Sequence, residues 1–152
     1  MTRRVLLDTN LLIAALDTAG TTSAEQRAKA KEQIKKLMDD ADVAVAITPL
    51  IRYEVLRGIA WDEVERYQQL QQILADFEEF DISRDVSELA ANLYRFDVDK
   101  AKTLNEPRNF EKRKFDVFHF ASAQCNRLEL ASHDSDIAKL YQQYADYLSA
   151  MK

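Results

Sequence analysis

The apolar residues of this chain change their spacing repeatedly, and this alternation constrains the fold more than any other feature of the sequence. Three short apolar runs, at residues 4–7, 43–47 and 128–131, are typical of buried β-strands. Longer stretches with apolar residues at helical spacing separate them. Strands that alternate with helices predict a mainly parallel sheet with helices on both faces. We expect the 152 residues, 1–152, to form a single domain.

Polar caps predict where several of the helices begin. Ser23 and Ser83 are suited to the N-cap position, and Thr48 precedes Pro49, which is tolerated in the first turn of a helix. The predicted helices cover residues 11–16, 23–40, 49–57, 62–78, 85–96, 115–127 and 134–148. A short edge strand is predicted at 80–82, and the polar stretch 99–112 is predicted to be a loop or a frayed helix end.

Cysteine content and hydropathy exclude several classes of protein. The single cysteine, Cys125, excludes an intramolecular disulfide and a structural zinc site made of thiolates. No apolar run approaches the roughly 18–20 residues that span a bilayer. Asp8 comes too early for the apolar region of a signal peptide. We therefore expect no membrane association and a location in the reducing cytoplasm.

The charge distribution argues against a classical basic nucleic-acid binder, because the net charge is −5 at pH 7. One segment, 100–114, departs from this balance, with six basic residues against two acidic ones and a local charge of +4. This segment is the candidate for contacts with a nucleic-acid backbone, and a solvated loop is the alternative interpretation. Its basic residues are Lys100, Lys102, Arg108, Lys112, Arg113 and Lys114.

Four acidic residues stand in settings unlike those of the other acids. Asp8 ends the first strand, Glu54 lies in the helix after the second, Asp116 begins an apolar helix, and Asp134 follows the last strand. The carboxyl ends of parallel strands meet at one edge of a sheet, where such folds bind ligands. Clustered carboxylates repel one another unless they hold a hard cation such as Mg²⁺ or Mn²⁺. Taken singly, Asp116 and Asp134 are explained equally well as helix caps.

His119 lies three residues after Asp116 and is open to two interpretations. It can be a general base or a metal ligand beside the acids. We favour the simpler interpretation, a partly buried polar residue in an aromatic-rich helix.

Four motifs carry a resemblance to a known family. They are Val-Leu-Leu-Asp8-Thr-Asn, Thr48-Pro-Leu-Ile-Arg-Tyr-Glu54, Lys114-Phe-Asp116-Val-Phe-His-Phe-Ala, and Ala131-Ser-His-Asp134-Ser-Asp. In this order, and over essentially the whole chain, they resemble the PIN-domain ribonucleases, and most closely the VapC-type toxins of bacterial toxin–antitoxin pairs. The basic segment before Asp116 departs from the short glycine-containing turn that is frequent in this family, which bears on substrate choice.

The resemblance implies a three-layer α/β/α fold with a mainly parallel sheet of four or five strands, and cleavage of RNA by water activated by Mg²⁺ or Mn²⁺. It implies that Asp8, Glu54, Asp116 and Asp134 are the catalytic and metal-binding acids, with Asp136 replacing or assisting Asp134. The implied supporting residues are Thr9, Asn10 and Ser132. The implied partners are an RNA substrate, a small antitoxin protein and a second copy of the chain in a homodimer.

Two alternatives to the ribonuclease hypothesis remain. A catalytically silent scaffold that binds RNA or protein has no need for repelling carboxylates. A phosphatase with an aspartyl nucleophile typically carries a second acid two residues later, where this chain has Asn10. The sequence leaves open whether tRNA, rRNA or mRNA is cut, and whether one metal ion or two are bound.

Overall fold

A four-stranded parallel sheet forms the middle layer of the structure, a computed structural model that describes residues 2–17, 20, 22–132 and 136–151. Helices cover the sheet in the three-layer α/β/α arrangement that the sequence predicts. The described strands are β1 (Arg3–Leu7), β2 (Val43–Ile47), β3 (Glu78–Glu79) and β4 (Glu129–Ala131), in the order β3-β2-β1-β4. The described helices are α1 (Thr9–Leu16), α2 (Ala24–Asp39), α3 (Pro49–Leu56), α4 (Val64–Ala75), α5 (Arg84–Leu104), α6 (Phe110–Cys125) and α7 (Asp136–Ala150).

Strand β1 lies in the centre of the sheet, where it pairs with β2 on one side and β4 on the other. Its last residues, Leu6 and Leu7, are fully buried, as expected for a parallel strand with helices on both faces. Directly after β1, the Asp8 N–H donates a hydrogen bond of 2.8 Å to the Ala131 carbonyl at the end of β4. The carboxyl ends of these two strands therefore lie side by side.

The three predicted caps are confirmed. The Ser23 hydroxyl accepts a hydrogen bond from the Gln26 N–H at the start of α2. Thr48 caps α3 in the same way, with Pro49 in its first turn, and Ser83 caps α5. Each hydroxyl satisfies an N–H group that has no partner within the helix.

The segment 99–112, predicted to be a loop or a frayed helix end, is regular helix at both of its ends. Helix α5 continues to Leu104, and α6 begins at Phe110, five residues before its predicted start. The buried stripe of α5 continues through Asp97 to Ala101, and an acid in a core position hides this continuation from a hydropathy pattern. Asn105, with a φ of 52°, ends the helix in the left-handed conformation.

The short edge strand β3 also differs from its prediction, because it lies at Glu78–Glu79 and not at 80–82. Phe80, an apolar residue of the predicted strand, packs against the core from outside the strand. Its N–H still donates to the Ile47 carbonyl at the end of β2.

None of the helices in the described part of the chain has the length and apolar content needed to cross a membrane.

Candidate active site

Asp8 lies where β1 ends and α1 begins, and its carboxylate is held from two sides. Its Oδ1 accepts a hydrogen bond of 2.8 Å from the Thr9 N–H, as the cap of α1. Its Oδ2 accepts a bond of 3.1 Å from the Ser132 hydroxyl, which also donates to Asn10 Oδ1. The residues after β1 and after β4 therefore fix the orientation of this acid. Burial raises the pKa of Asp8 above its usual value, against the opposing effects of His119 and these hydrogen bonds.

Glu54 reaches the same place from α3 and contacts His119 of α6. Thr9 Oγ1 donates a hydrogen bond of 3.1 Å to Glu54 Oε1, and His119 Nε2–H donates to the same oxygen. His119 is 1% exposed. Burial lowers the pKa of His119. The hydrogen bond with Glu54 and the charge of Asp8 raise this pKa by more than burial lowers it, so the net shift is upward.

Asp116 enters from the first half of α6. Its burial raises its pKa to about 6, and the negative charge of Asp8 contributes to this shift, whereas Lys112 opposes it. Asp8, Glu54 and Asp116 all line one cleft of about 540 Å³, which we call the acidic cleft. The cleft also receives Lys112 and other side chains, including Thr9, Asn10, Tyr53, Arg57 and Lys114.

The fourth predicted acid cannot be placed beside these three. Asp134 lies outside the described residues, and Asp136 is the first residue of α7. Ser132, the last described residue after β4, is placed against Asp8. The structure thus brings together Asp8, Glu54 and Asp116, together with the supporting residues Thr9, Asn10 and Ser132.

The donor chemistry of the acidic cleft fits a hard divalent cation. The charge of Asp8 raises the pKa of Asp116, and carboxylate oxygens are the ligands that Mg²⁺ and Mn²⁺ prefer. A bound cation would offset the negative charge of these acids, which His119 and Lys112 offset only in part. Within the described ranges, no group of three His, Cys, Asp or Glu side chains is arranged to hold a metal ion.

The six basic residues of segment 100–114 do not all lie in one patch, although Lys100, Arg108, Lys112 and Arg113 line a common cleft. Arg108 forms an ion pair with Asp97, which is fully buried, and Arg113 Nε lies 3.8 Å from the other oxygen of that acid. Lys112 and Lys114 line the acidic cleft. Of the other two, Lys100 lies over the ring of Phe96, and Lys102 is exposed in the last turn of α5.

Sequence reasoning underestimated His119 and missed Asp97. His119 is a buried polar residue of α6, but it is almost fully buried where partial burial was predicted, and it is hydrogen-bonded to an acid of the cleft. Its spacing from Asp116, one helical turn, was the signal that places both on one face of α6. For Asp97, the only signal was its position between Leu93 and Ala101 in the buried stripe of α5.

Comparisons with known proteins agree with this architecture. The family model described as PIN domain matches residues 5–143. A chain of VapBC2 from Rickettsia felis bound to a promoter DNA fragment has a TM-score of 0.63 and 13% identity, over 90% of this chain and 92% of that one. A chain of a toxin–antitoxin complex from Klebsiella pneumoniae has a TM-score of 0.51 and 24% identity, over 83% and 82%. No curated protein sequence matches. At these identities, the two solved structures show a shared fold.

Proposed function

Because this chain belongs to the PIN-domain family, we propose that it is a metal-dependent endoribonuclease and the toxin of a type II toxin–antitoxin pair. The observation that carries the proposal is the convergence of Asp8, Glu54 and Asp116 on the acidic cleft. These acids come from three distant parts of the sequence, and helix capping explains the position of Asp8 alone. Such a concentration of negative charge suits an enzyme that binds a polyanion through cations.

Asp8 and Asp116 are the proposed principal metal ligands, with Glu54 and either Asp134 or Asp136 completing the set. Mg²⁺ or Mn²⁺ bound there supplies a nucleophilic water at neutral pH and neutralises charge that develops on the phosphate. Two acids with raised pKa values are suited to this role, because a cation restores the ionised form that burial and mutual repulsion disfavour.

The chain's own residues orient these acids before substrate arrives. Thr9 contacts both acids, because its N–H donates to Asp8 and its hydroxyl to Glu54. Ser132 holds the second oxygen of Asp8, and His119 holds Glu54 from below the cleft. Ligands fixed in this way lose little freedom when substrate binds, which is the usual contribution of residues behind a metal site.

The proposed antitoxin partner has a candidate docking surface at the C-terminal end of α1. Helices α1, α2 and α4 enclose a cleft of about 980 Å³ that is lined by Leu16, Leu70 and Ile73 together with charged residues. Trp61, 99% exposed, precedes Asp62 at its rim. An amphipathic helix with an apolar stripe is the natural occupant of such a groove. This supports a small antitoxin that contacts α2 and α4, and a second copy of the chain is the alternative occupant.

Co-expression with the product of a neighbouring short reading frame tests the docking surface. Ile73→Glu is expected to abolish co-purification, and Met38→Glu, at another exposed apolar position on α2 outside the lining of this cleft, is the matched control. Loss of binding in both variants, or in neither, would contradict the assignment. Sedimentation of the protein alone shows whether a second copy occupies the groove.

A silent scaffold remains the second candidate. One observation favours it: no metal-holding group of three side chains is present among the residues that the structure describes. A scaffold of this kind predicts RNA or protein binding that is indifferent to chelators.

The deciding experiment is incubation of a mixed RNA pool with the purified protein in Mg²⁺, Mn²⁺ or EDTA. The parent protein is expected to cut RNA only with metal, and Asp8→Asn is expected to cut none. Asp81→Asn, an exposed acid outside the cleft, is the control and should retain activity. Cleavage in EDTA, or equal activity of Asp8→Asn, would refute the mechanism, and equal cutting of DNA would refute the RNA assignment.

A further inference from the structure

We propose that Tyr53, Arg57 and Phe115 form a subsite for one unpaired nucleobase of the RNA, beside the acids of the acidic cleft. This inference rests on the proposed function, because it names a group of the substrate that binds next to the phosphodiester to be cut. All three side chains line the acidic cleft. The metal chemistry proposed for the acids does not account for two aromatic rings in this place.

The guanidinium of Arg57 joins the two rings into one unit. Its Cζ lies 5.3 Å from the centroid of the Tyr53 ring and 5.0 Å from the centroid of the Phe115 ring. Both distances are within the range of a cation–π contact, about 6 Å. Tyr53 lies in α3, Arg57 is the C-cap residue of that helix, and Phe115 lies in α6. The unit therefore spans the two helices that supply Glu54 and Asp116 to the cleft.

Each ring is also the neighbour of a proposed metal ligand in the sequence. Tyr53 precedes Glu54, and Phe115 precedes Asp116. Successive residues of an α-helix point about 100° apart, so each ring lies on the face of its helix that adjoins the face of the acid. An RNA whose phosphodiester lies at the acids therefore brings a neighbouring base to the rings.

Tyr53 has ring surface available for a further contact. Its side chain is 54% exposed, although the guanidinium of Arg57 lies over the ring. The contact with Arg57 holds the ring at the cleft, and the exposed part of the ring can accept another planar group. A ring that is already held in place loses little freedom when a ligand stacks on it.

The chemistry of this unit matches an unpaired nucleobase. Bases that are splayed out of single-stranded RNA stack on aromatic rings and on arginine guanidinium planes. Such stacking tolerates different bases, because every base has a π-face. A base inside a duplex has no free face, so the subsite selects RNA that is unpaired beside the cleaved bond. RNA is favoured over a protein segment because the rings share one cleft with the acids, where the phosphodiester must lie.

RNAs that lack single bases test this proposal. Asp8→Asn serves as the non-cutting background, and its affinity for short single-stranded RNAs, each with an abasic site at a different position, is measured by fluorescence anisotropy. Removal of the base at one position is expected to weaken binding roughly tenfold, as is addition of Tyr53→Ala with the intact RNA. The two changes together are expected to weaken binding no further, because both remove the same stacking contact.

Two further variants control for the loss of a tyrosine. Tyr53→Phe keeps the ring and is expected to keep the affinity. Tyr67→Ala removes a tyrosine that is 39% exposed on α4, outside the lining of the acidic cleft, and is expected to change neither the affinity nor the effect of base removal. Circular dichroism of each variant checks that the fold is retained.

Three outcomes would overturn the proposal. They are unchanged RNA affinity in Tyr53→Ala, equal losses in Tyr53→Ala and Tyr67→Ala, and additive losses from Tyr53→Ala and base removal at every position. Unchanged RNA affinity together with lost co-purification of the antitoxin in Tyr53→Ala would assign the rings to a protein partner instead.

The two proposals fail in different ways. If the parent protein cuts no RNA but Tyr53→Ala still cancels the effect of base removal, the proposed function fails and the base subsite stands. If the parent cuts RNA with metal but Tyr53→Ala has no effect on binding, the subsite is refuted and the nuclease stands.

Discussion

Two buried clusters of charged side chains lie on α6, and they are built in opposite ways. In the acidic cleft, Asp8, Glu54 and Asp116 surround one histidine, and the cluster opens to solvent. At the start of the same helix, two arginines converge on one fully buried acid, Asp97. The first cluster offsets its negative charge only in part, through His119 and Lys112, whereas the second encloses its acid between two arginines.

This difference separates a binding site from a structural support. Repelling carboxylates reduce the stability of a fold, so their arrangement around an open cleft indicates a ligand that is not part of the chain. A buried acid between arginines requires no such ligand, but it becomes an uncompensated charge when its partners are lost. Substitutions in the acidic cleft should therefore affect activity more than stability, and substitutions around Asp97 should affect stability more than activity.

The largest expected effect is on activity, in Asp116→Asn. Loss of a proposed metal ligand is expected to lower RNA cleavage on the order of a thousandfold, or about 4 kcal/mol in transition-state stabilisation. The same change should not lower the free energy of unfolding at neutral pH, because it removes the repulsion with Asp8. Cleavage rates and urea denaturation measure the two effects. An inactive variant that is also strongly destabilised would contradict the proposed difference between the two clusters.

The largest expected effect on stability is in Asp97→Ala. Removing this acid leaves Arg108 and Arg113 without their buried partner, and we expect a loss of about 3 kcal/mol in the free energy of unfolding. Asp99→Ala, an exposed position two residues later on α5, is the control and should change little. Equal denaturation midpoints for the two variants would show that Asp97 is not a structural support.

A smaller effect is expected in His119→Phe, which removes the hydrogen bond to Glu54. Loss of a residue behind a metal site typically costs 10–100-fold, so we expect cleavage to fall by about that factor. His119→Gln retains a donor group and should recover part of the loss. Isothermal titration with Mn²⁺ provides a readout besides activity, and His119→Phe should bind the metal more weakly. Equal metal affinity and equal rates in both variants would exclude a positioning role.

The smallest expected effect is the dependence of stability on pH without metal. The pKa of Asp116 is raised from 3.8 to about 6, so the folded state favours the protonated acid. Its contribution to the unfolding free energy is complete below pH about 4 and is lost as the pH rises to about 6. With allowance for partial exposure to solvent, this loss is about 1–2 kcal/mol. The pKa of His119 is also raised. The measurement is therefore the difference in unfolding free energy between the parent and Asp116→Asn, and the pH dependence of this difference should vanish below pH about 4.

The sequence predicted those features that depend on neighbours along the chain. The three caps and the parallel sheet follow from local spacing, because a hydroxyl before a helix and an apolar run before an acid act over a few residues. The convergence of Asp8, Glu54 and Asp116 on one cleft was also predictable, since the ends of parallel strands meet at one edge.

The features that the sequence did not predict are charged or polar side chains that can be buried only because a partner from elsewhere in the chain pairs with them. Asp97 is an acid in a core position. Its burial is possible because two arginines that follow α5 in the sequence, Arg108 and Arg113, approach its carboxylate. His119 is buried for the same reason, since Glu54 comes from a helix 65 residues away in the sequence. Hydropathy patterns describe each residue alone and cannot represent such pairs. The fourth acid, Asp134, stays a prediction.

The pairing of β1 with β4 has a consequence for the order of events during synthesis. Asp8 receives its second hydrogen bond from Ser132, 124 residues later. Strand β4, which ends just before Ser132, is the neighbour of β1 at one edge of the described sheet. A ribosome must therefore release most of the chain before this corner of the acidic cleft can form. The nuclease activity that we propose would therefore begin only when translation of the chain is nearly complete.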